Sequence, residues 1–194
     1  MKITRPKSKQ PIPSHAKRVF KGEIFDVYQW PQKMYDGSTK TFERIKRQDT
    51  ATIIPITPDG KIIIAKQEQP GRKSFTGLVG GRVEEGENPL SAAKRELLEE
   101  TGLSSQKWTL FNTIQPMGKL DWAVYCFIAK DCKIVARQNL DNGEKIKPLY
   151  LNFEAFVKML LKKDFVDMYL KIKFLEAKLD PKKMQALKKL LGVK

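Results

Sequence analysis

The stretch that most restricts the fold is residues 77–103, where closely spaced glycines give way to a helix whose two ends are written into the sequence. Asn88 is a helix-capping residue, Pro89 suits the first helical position, and Gly102 suits the left-handed position that ends a helix. On a wheel of about 100° per residue, Leu90, Ala93 and Leu97 form a packing stripe, and Glu96, Glu99 and Glu100 fall within an arc of roughly 100° beside it. Such a helix must bury one side against a sheet and hold concentrated negative charge next to it.

The flanking segments supply the sheet. Residues 24–30 and 39–46 are strand-like runs on either side of Tyr35-Asp36-Gly37-Ser38, and an Asp-Gly pair between such runs signals a hairpin. Residues 50–56 and 61–67 are isoleucine-rich, as buried strands are, and the turn Pro58-Asp59-Gly60 between them predicts a second hairpin. Glycines at 71, 77, 80, 81 and 86 mark backbone that turns sharply or approaches something closely. Further strands are predicted at 108–113, 122–129 and 147–151. Beyond Asn152 the apolar residues Phe156, Met159, Leu160, Leu170, Phe174 and Leu175 recur at helical spacing. Strands first and in the middle, one central helix and helices at the end predict an α+β or mixed α/β layered domain, without the regular alternation of a doubly wound fold.

Glutamates three and four apart on a helix repel one another by a few tenths of a kcal/mol per pair when nothing lies between them. A divalent cation reverses the sign. Mg²⁺ takes oxygen ligands, uses one or two carboxylates per ion and keeps positions open for water and phosphate oxygens, which suits Glu96, Glu99 and Glu100 together with the Gly80 carbonyl just upstream. Arg95 precedes Glu99 by one helical turn and reaches back toward Glu87, so it is placed to hold the carboxylates in position. Three glutamates alone would read as a solvated acidic face.

The spacing changes that reading. Gly81, five residues, Glu87, seven residues, Arg95-Glu96, an aliphatic, one residue, Glu99-Glu100, one residue, Gly102 and an aliphatic reproduce every position of the Nudix box. At ordinary residue usage each fixed identity carries a chance factor of about 15 to 20, so coincidence is negligible. Over roughly residues 19–179 the chain resembles the Nudix hydrolases, most of all the branch that cleaves ADP-ribose and related nucleoside diphosphate sugars. The less specific parts of the resemblance are Thr41-Phe42-Glu43-Arg44, residues 52–64, Gly143-Glu144 and the segment from Asp164 to Asp167. It implies an α/β/α sandwich around a mixed sheet with an N-terminal antiparallel hairpin, and a homodimer with the first strands near the interface. Carried over by position, Glu96, Glu99 and Glu100 are side-chain ligands of Mg²⁺ (or Mn²⁺) and Gly80 a backbone ligand. Glu144, on a loop after the box, is the candidate general base, Glu99 the fallback, and a turn residue after Asp141-Asn142-Gly143 the ordinary reading of Glu144.

The expected reaction is hydrolysis of a nucleoside diphosphate joined to another group, ADP-ribose giving AMP and ribose 5-phosphate. For substrate contact the aromatics Tyr28 and Trp30 offer a face for adenine, and Arg44 a guanidinium for phosphate; Trp30 is equally suited to core or dimer contact. Where sugar-cleaving relatives carry an arginine-rich stretch, this chain has Gln67-Glu68-Gln69-Pro70-Gly71-Arg72, which leaves Arg72 as the arginine placed to meet substrate. Pro116 matches only loosely the downstream proline that marks ADP-ribose specificity.

A formal charge of +15 draws in anions of any kind and does not choose among them. Much of the excess lies in residues 1–18, which read as a basic flexible tail, and in residues 181–194, a basic C-terminal helix or tail, around a domain at 19–180 whose box occupies 81–103. The basic ends keep RNA 5′ ends or noncanonical nucleotides as alternative substrates, without favouring nucleic acid; a nucleotide-sensing module that cuts nothing is the rival from another class. Cys126 and Cys132, far from the lone His15, read as free thiols in a reducing compartment and give no zinc pattern. No apolar run approaches the roughly 20 residues of a membrane helix and no secretion signal is evident, so the cytoplasm is the expected location and no membrane partner is expected.

Overall fold

The computed structural model describes residues 3–193. Strands β1 (Lys17–Lys21), β2 (Phe25–Lys33), β3 (Thr39–Arg47), β4 (Thr50–Pro55), β5 (Ile62–Gln69), β6 (Arg72–Gly77) and β7 (Val79–Arg82) lead into helix α1 (Pro89–Thr101). After it come β8 (Leu103–Ser104), β9 (Lys107–Ile114), β10 (Leu120–Asp121), β11 (Val124–Lys130), β12 (Lys133–Ile134) and β13 (Lys145–Leu151). Helices α2 (Phe153–Leu160), α3 (Met168–Lys178) and α4 (Pro181–Leu191) close the chain. Among the described residues no helix is long and apolar enough to cross a membrane.

The first hairpin forms as the sequence predicts: β2 and β3 pair antiparallel from Phe25↔Arg47 to Lys33↔Thr39 across the Asp36-Gly37 turn. With β1 and β10 they make a sheet in the order β1-β2-β3-β10. Residues 3–16 have neither helix nor strand, yet they are tied to the body. Arg5 bridges Asp49 at 2.8 Å and Asp121 at 2.9 Å, and the Gln115 side chain donates to the Pro6 carbonyl at 3.1 Å.

The second hairpin does not form. β4 and β5 share only an isolated bridge at Ile56↔Ile62 and then diverge, β4 into the sheet β7-β4-β11-β9 and β5 into the sheet β13-β5-β6. Each already has a neighbour on both edges, β11 parallel and β7 antiparallel for β4, β13 and β6 antiparallel for β5, so their ladders are filled by strands from later in the chain. Both are apolar on both faces. That pattern marks a central strand covered on two sides, but names no pairing partner.

Alternation along these strands builds two cores. Ile53, Ile63, Tyr125 and Phe127 turn toward Ala92, Ala93 and Leu97 of α1, while Ile54, Ile62, Ile64 and Ile128 turn toward Phe156, Leu160, Leu170 and Phe174 of the C-terminal helices. The result is a mixed α+β layered fold, with α1 on one side of the central strands and α2, α3 and α4 on the other. Leu97, fully buried, contributes on the order of 2 kcal/mol to the first core. It thereby fixes the face that Glu96 and Glu100 present. The basic end after residue 180 is α4, which begins at Pro181 under an Asp180 cap and packs through Leu191.

Candidate active site

The caps of α1 are those the sequence specifies. The Leu90 N–H donates to Asn88 Oδ1 at 2.9 Å, and the chain leaves the helix at Gly102, whose N–H donates to the Leu98 carbonyl at 2.8 Å. Rotation about the axis is then set by the small residues Ala92 and Ala93, fully buried, which bring α1 close to the strands. The glutamate face meets β7, and here two glycines are required by geometry. Gly80 has φ +142, and a Cβ on it would fall on the Ala51 carbonyl oxygen of β4; a Cβ on Gly81 would fall on the Glu96 carboxylate.

A cleft of about 500 Å³ opens at this junction, with the carboxylates of Glu84, Glu96, Glu99, Glu100, Asp141 and Glu144 along its walls. Gly80, Gly81, Gln67, Gln69 and Arg95 line it too. Glu100 is only 4% exposed. Its Oε2 accepts the Gly80 N–H at 2.9 Å. Burial pushes its carboxyl up to about 8, with the charges of Glu96, Glu144 and Glu99 adding to the effect and the Gly80 bond opposing it. Burial likewise raises Glu96, against the pull of Arg95, and raises Glu144 together with the charges of Asp141 and Glu99.

Arg95 organises the cluster through every N–H of its guanidinium. Nε and Nη2 donate to the two oxygens of Glu87 at 3.2 and 3.1 Å, and Nη1 donates to Glu96 at 2.8 Å and to Glu99 at 3.1 Å. Nη2 also donates to the Arg82 carbonyl at 2.9 Å, tying the helix to the end of β7. Glu87 is held below the ordinary glutamate range, first by Arg95, and its Oε2 also accepts the Glu84 N–H at 3.0 Å. One guanidinium thus faces a larger number of carboxylates, and Glu100 and Glu144 are left without an ion-pair partner in the cluster.

Among the described residues no three acidic, histidine or cysteine side chains already converge on a single ligand point. Arg95 draws Glu96 and Glu99 to itself, and the Gly80 N–H holds Glu100. The donor set nevertheless fits a hard divalent ion: it consists of oxygens, it is partly buried, and its carboxylates outnumber the one guanidinium, that of Arg95, that pairs with them. Zinc-type nitrogen or sulfur donors are missing from the cleft lining, and Cys126 and Cys132 are buried free thiols elsewhere in the fold.

The structure brings Gly80, Glu87, Arg95, Glu96, Glu99, Glu100 and Glu144 to one place. Arg72 lies outside the carboxylates, its guanidinium 3.6 Å from the centre of the Phe75 ring, in a second cavity of about 520 Å³ that shares Gln67, Gln69 and Gly80 with the first. Trp30 and Arg44 line neither cavity. Trp30 is buried in the first sheet, its ring 6.1 Å from that of Phe42 and its Nε1–H donating to Gln32. Arg44 is 4% exposed, with Nη2 donating to Ser8 Oγ at 2.8 Å and Nε unpartnered among the described residues. Tyr28 faces the N-terminal segment beside Ser8 and Lys46. Gln67 and Gln69, which stand between the two cavities, were not expected as site residues; the signal was polar residues closing an otherwise apolar strand, with Gln67 buried.

Comparison with known proteins agrees with this geometry. The NUDIX domain family model matches residues 46–170. An ADP-ribose pyrophosphatase of Bacillus subtilis is 27% identical over 153 residues, which cover 77% of this chain and 83% of that protein. A methanol dehydrogenase activator of Bacillus methanolicus is 26% identical over 156 residues, covering 78% of this chain and 84% of that one. A solved structure described as an ADP compounds hydrolase superposes with a TM-score of 0.68 at 18% identity, over 89% of this chain and 98% of that one, a likeness of fold.

Proposed function

This chain belongs to the Nudix family and is a Nudix hydrolase, and from that premise we propose that it hydrolyses the diphosphate bond of a nucleoside diphosphate joined to a sugar, with ADP-ribose the substrate. The observation that carries the proposal is the set of carboxylates of Glu96, Glu99, Glu100 and Glu144 around one cleft beside the Gly80-Gly81 backbone. The identity of the sugar-linked substrate draws on the similarity to a protein named ADP-ribose pyrophosphatase.

Glu96, Glu99, Glu100 and the Gly80 carbonyl would hold Mg²⁺, with Mn²⁺ able to replace it. About two or three such ions would neutralise the diphosphate and acidify the attacking water. Arg95 pairs with both Glu96 and Glu99, so their repulsion is offset before a ligand arrives. Glu144 takes the proton from water as its oxygen attacks phosphorus; the phosphorus–oxygen bond of the bridge breaks, and the departing phosphate carries the electron pair. The raised affinity of Glu144 for a proton suits it to the role of base. Glu99 is the second candidate. Arg72, which lines the adjoining cavity, would meet the rest of the substrate.

We also propose a homodimer. Phe20, Phe25 and Ile45, which the register of the first sheet sets on one face, are each 41–57% exposed, an apolar face that a second copy of the chain would cover. Light scattering after gel filtration reads the mass directly. A monomer across the working concentration range refutes the dimer.

The cleavage proposal is tested by incubating the full chain with Mg²⁺ or Mn²⁺ and a panel of ADP-ribose, other nucleoside diphosphate sugars, noncanonical triphosphates and 5′-triphosphorylated or capped RNA, with products read by mass spectrometry. AMP and ribose 5-phosphate from ADP-ribose, abolished in Glu100→Gln, supports it. Pyrophosphate release from the RNA or triphosphates with ADP-ribose intact overturns the substrate. No cleavage of any panel member, with nucleotide still bound, favours a sensor instead.

A further inference from the structure

We propose that Gln138 is a positioning residue: its side-chain amide clamps the loop that carries Glu144 to the end of the glutamate helix, and so sets where the general base stands relative to the metal-binding carboxylates. The inference rests on the diphosphate-cleaving function above, with Glu144 as its base.

The last four carbonyls of an α-helix have no partner within the helix and must find one elsewhere. In α1, the Leu98 carbonyl takes the Gly102 N–H of the cap itself. The chain after β12 supplies partners for the next two. The Glu99 carbonyl accepts the Asn139 N–H at 2.9 Å, and the Glu100 carbonyl accepts an N–H of the Gln138 side chain. Just beyond the helix, the Gly102 carbonyl accepts the N–H groups of Val135 and Ala136 at 2.9 and 3.2 Å. Gly102 permits this approach, because a Cβ there would fall on the Ala136 carbonyl oxygen. Residues 135–139 are thereby laid across the C-terminus of the helix whose Glu96, Glu99 and Glu100 line the cleft.

Within this set of contacts, the one made by Gln138 depends on a side chain, and it reaches a second element. Gln138 Nε2 also donates to the Ile146 carbonyl at 3.1 Å. Ile146 belongs to β13, pairs with Gln67 of β5 and lies in the same core as Leu97 of α1. Both N–H groups of the amide are thus committed to carbonyls of two packed elements.

Between the clamp points runs a short loop, and Asn139, Leu140, Asp141 and Glu144 all line the cleft. The Glu144 N–H closes a turn onto the Asp141 carbonyl at 2.9 Å. A base on this loop is held only as firmly as the loop is, and a misplacement of about 1 Å can cost on the order of 100-fold in rate. Gln138 does not line the cleft itself and acts through the backbone. The metal-binding glutamates hang from α1, which Ala92, Ala93 and Leu97 anchor in the core. Loss of the clamp should therefore slow the chemical step without weakening metal or substrate binding, a split that general destabilisation does not produce.

Gln138→Met keeps the length of the side chain and removes both donors. In the full chain with Mg²⁺ and ADP-ribose it is expected to lower kcat by about tenfold. KM, the Mg²⁺ concentration for half activity and the melting temperature are expected to stay with the parent. In a Glu144→Gln background the same change is expected to cost nothing further, because a residue acting through the base has no effect once the base is gone. Amide hydrogen exchange, which needs no turnover, is expected to quicken about tenfold at residues 139–145 and to stay unchanged within α1. A Gln138→Met loss that multiplies with that of Glu144→Gln overturns the proposal. Where the parent cuts ADP-ribose and Glu144→Gln does not, parent-like kcat in Gln138→Met refutes the clamp alone. A fully active Glu144→Gln sinks the base and its positioning together. A parent that cuts no diphosphate refutes the cleavage reading, and unchanged exchange at residues 139–145 then refutes the clamp as well, whereas faster exchange upholds it.

Discussion

Glu100 holds a carboxyl almost out of water among other carboxylates, so replacing it by glutamine should stabilise the metal-free protein while abolishing activity. The ordinary glutamate value is 4.5, and in the fold Glu100 rises to about 8. A carboxyl whose proton affinity is higher folded than unfolded supports the fold only while protonated. Its contribution is complete below about 4.5 and is lost as pH rises through about 8. At about 1.4 kcal/mol for each tenfold change in proton affinity, ionised Glu100 opposes folding by on the order of 5 kcal/mol. Glutamine keeps an oxygen for the Gly80 N–H and never ionises. In a chelating buffer at about pH 9, Glu100→Gln should therefore melt roughly 10 °C above the parent chain, and at about pH 5 the two should nearly coincide. Adding Mg²⁺ at about pH 9 should raise the melting point of the parent and leave the variant unmoved, because a cation neutralises only the charged form. Thermal unfolding followed by circular dichroism reads all four conditions. If the variant melts at or below the parent at high pH without metal, and Mg²⁺ shifts both equally, Glu100 is neither strained by its charge nor a ligand.

Arg95→Lys should lower kcat/KM and Mg²⁺ affinity by about 10- to 100-fold, since an ammonium cannot bridge Glu87, Glu96 and Glu99 at once; a magnesium titration of activity checks it. Gly81→Ala places a methyl on the Glu96 carboxylate and should cut activity more than stability, whereas Gly80→Ala meets the Ala51 backbone at a positive φ and should destabilise by more than about 2 kcal/mol; urea unfolding beside kcat distinguishes the pair. Glu144→Gln should depress kcat by about 100-fold or more with KM little changed and remove the acid limb of the pH–rate profile, which in the parent lies above the ordinary glutamate range because burial raises Glu144. An unchanged acid limb would move the role of base to Glu99.

What the sequence disclosed and what it withheld divide along the reach of the interactions. The helix at the centre was legible because its determinants are local: Asn88, Pro89 and Gly102 act on backbone within one turn, and the offset of Leu97 from Glu96 and Glu100 is a matter of helical pitch. The contact of Arg95 with Glu87 and Glu99 follows from the same pitch and one tight loop. Pairing of β4 and β5 was misread because an isoleucine run states burial on both faces and says nothing about which neighbour fills each edge. That is decided by β11 and β13, more than 60 residues downstream. The same non-locality hid the second cavity. Thr52, Gln67, Asn112, Cys126 and Asp167 come from β4, β5, β9, β11 and the cap of α3, and no spacing in the chain relates them. Trp30 and Arg44 show the converse limit, in which residue type suggests a ligand contact before position is known. An indole and a guanidinium serve a core and a sheet as readily as a nucleotide, and within one chain both are buried in the first sheet and neither lines the carboxylate cleft. Residue type names the chemistry a side chain is capable of; the strand order decides whether any substrate can reach it.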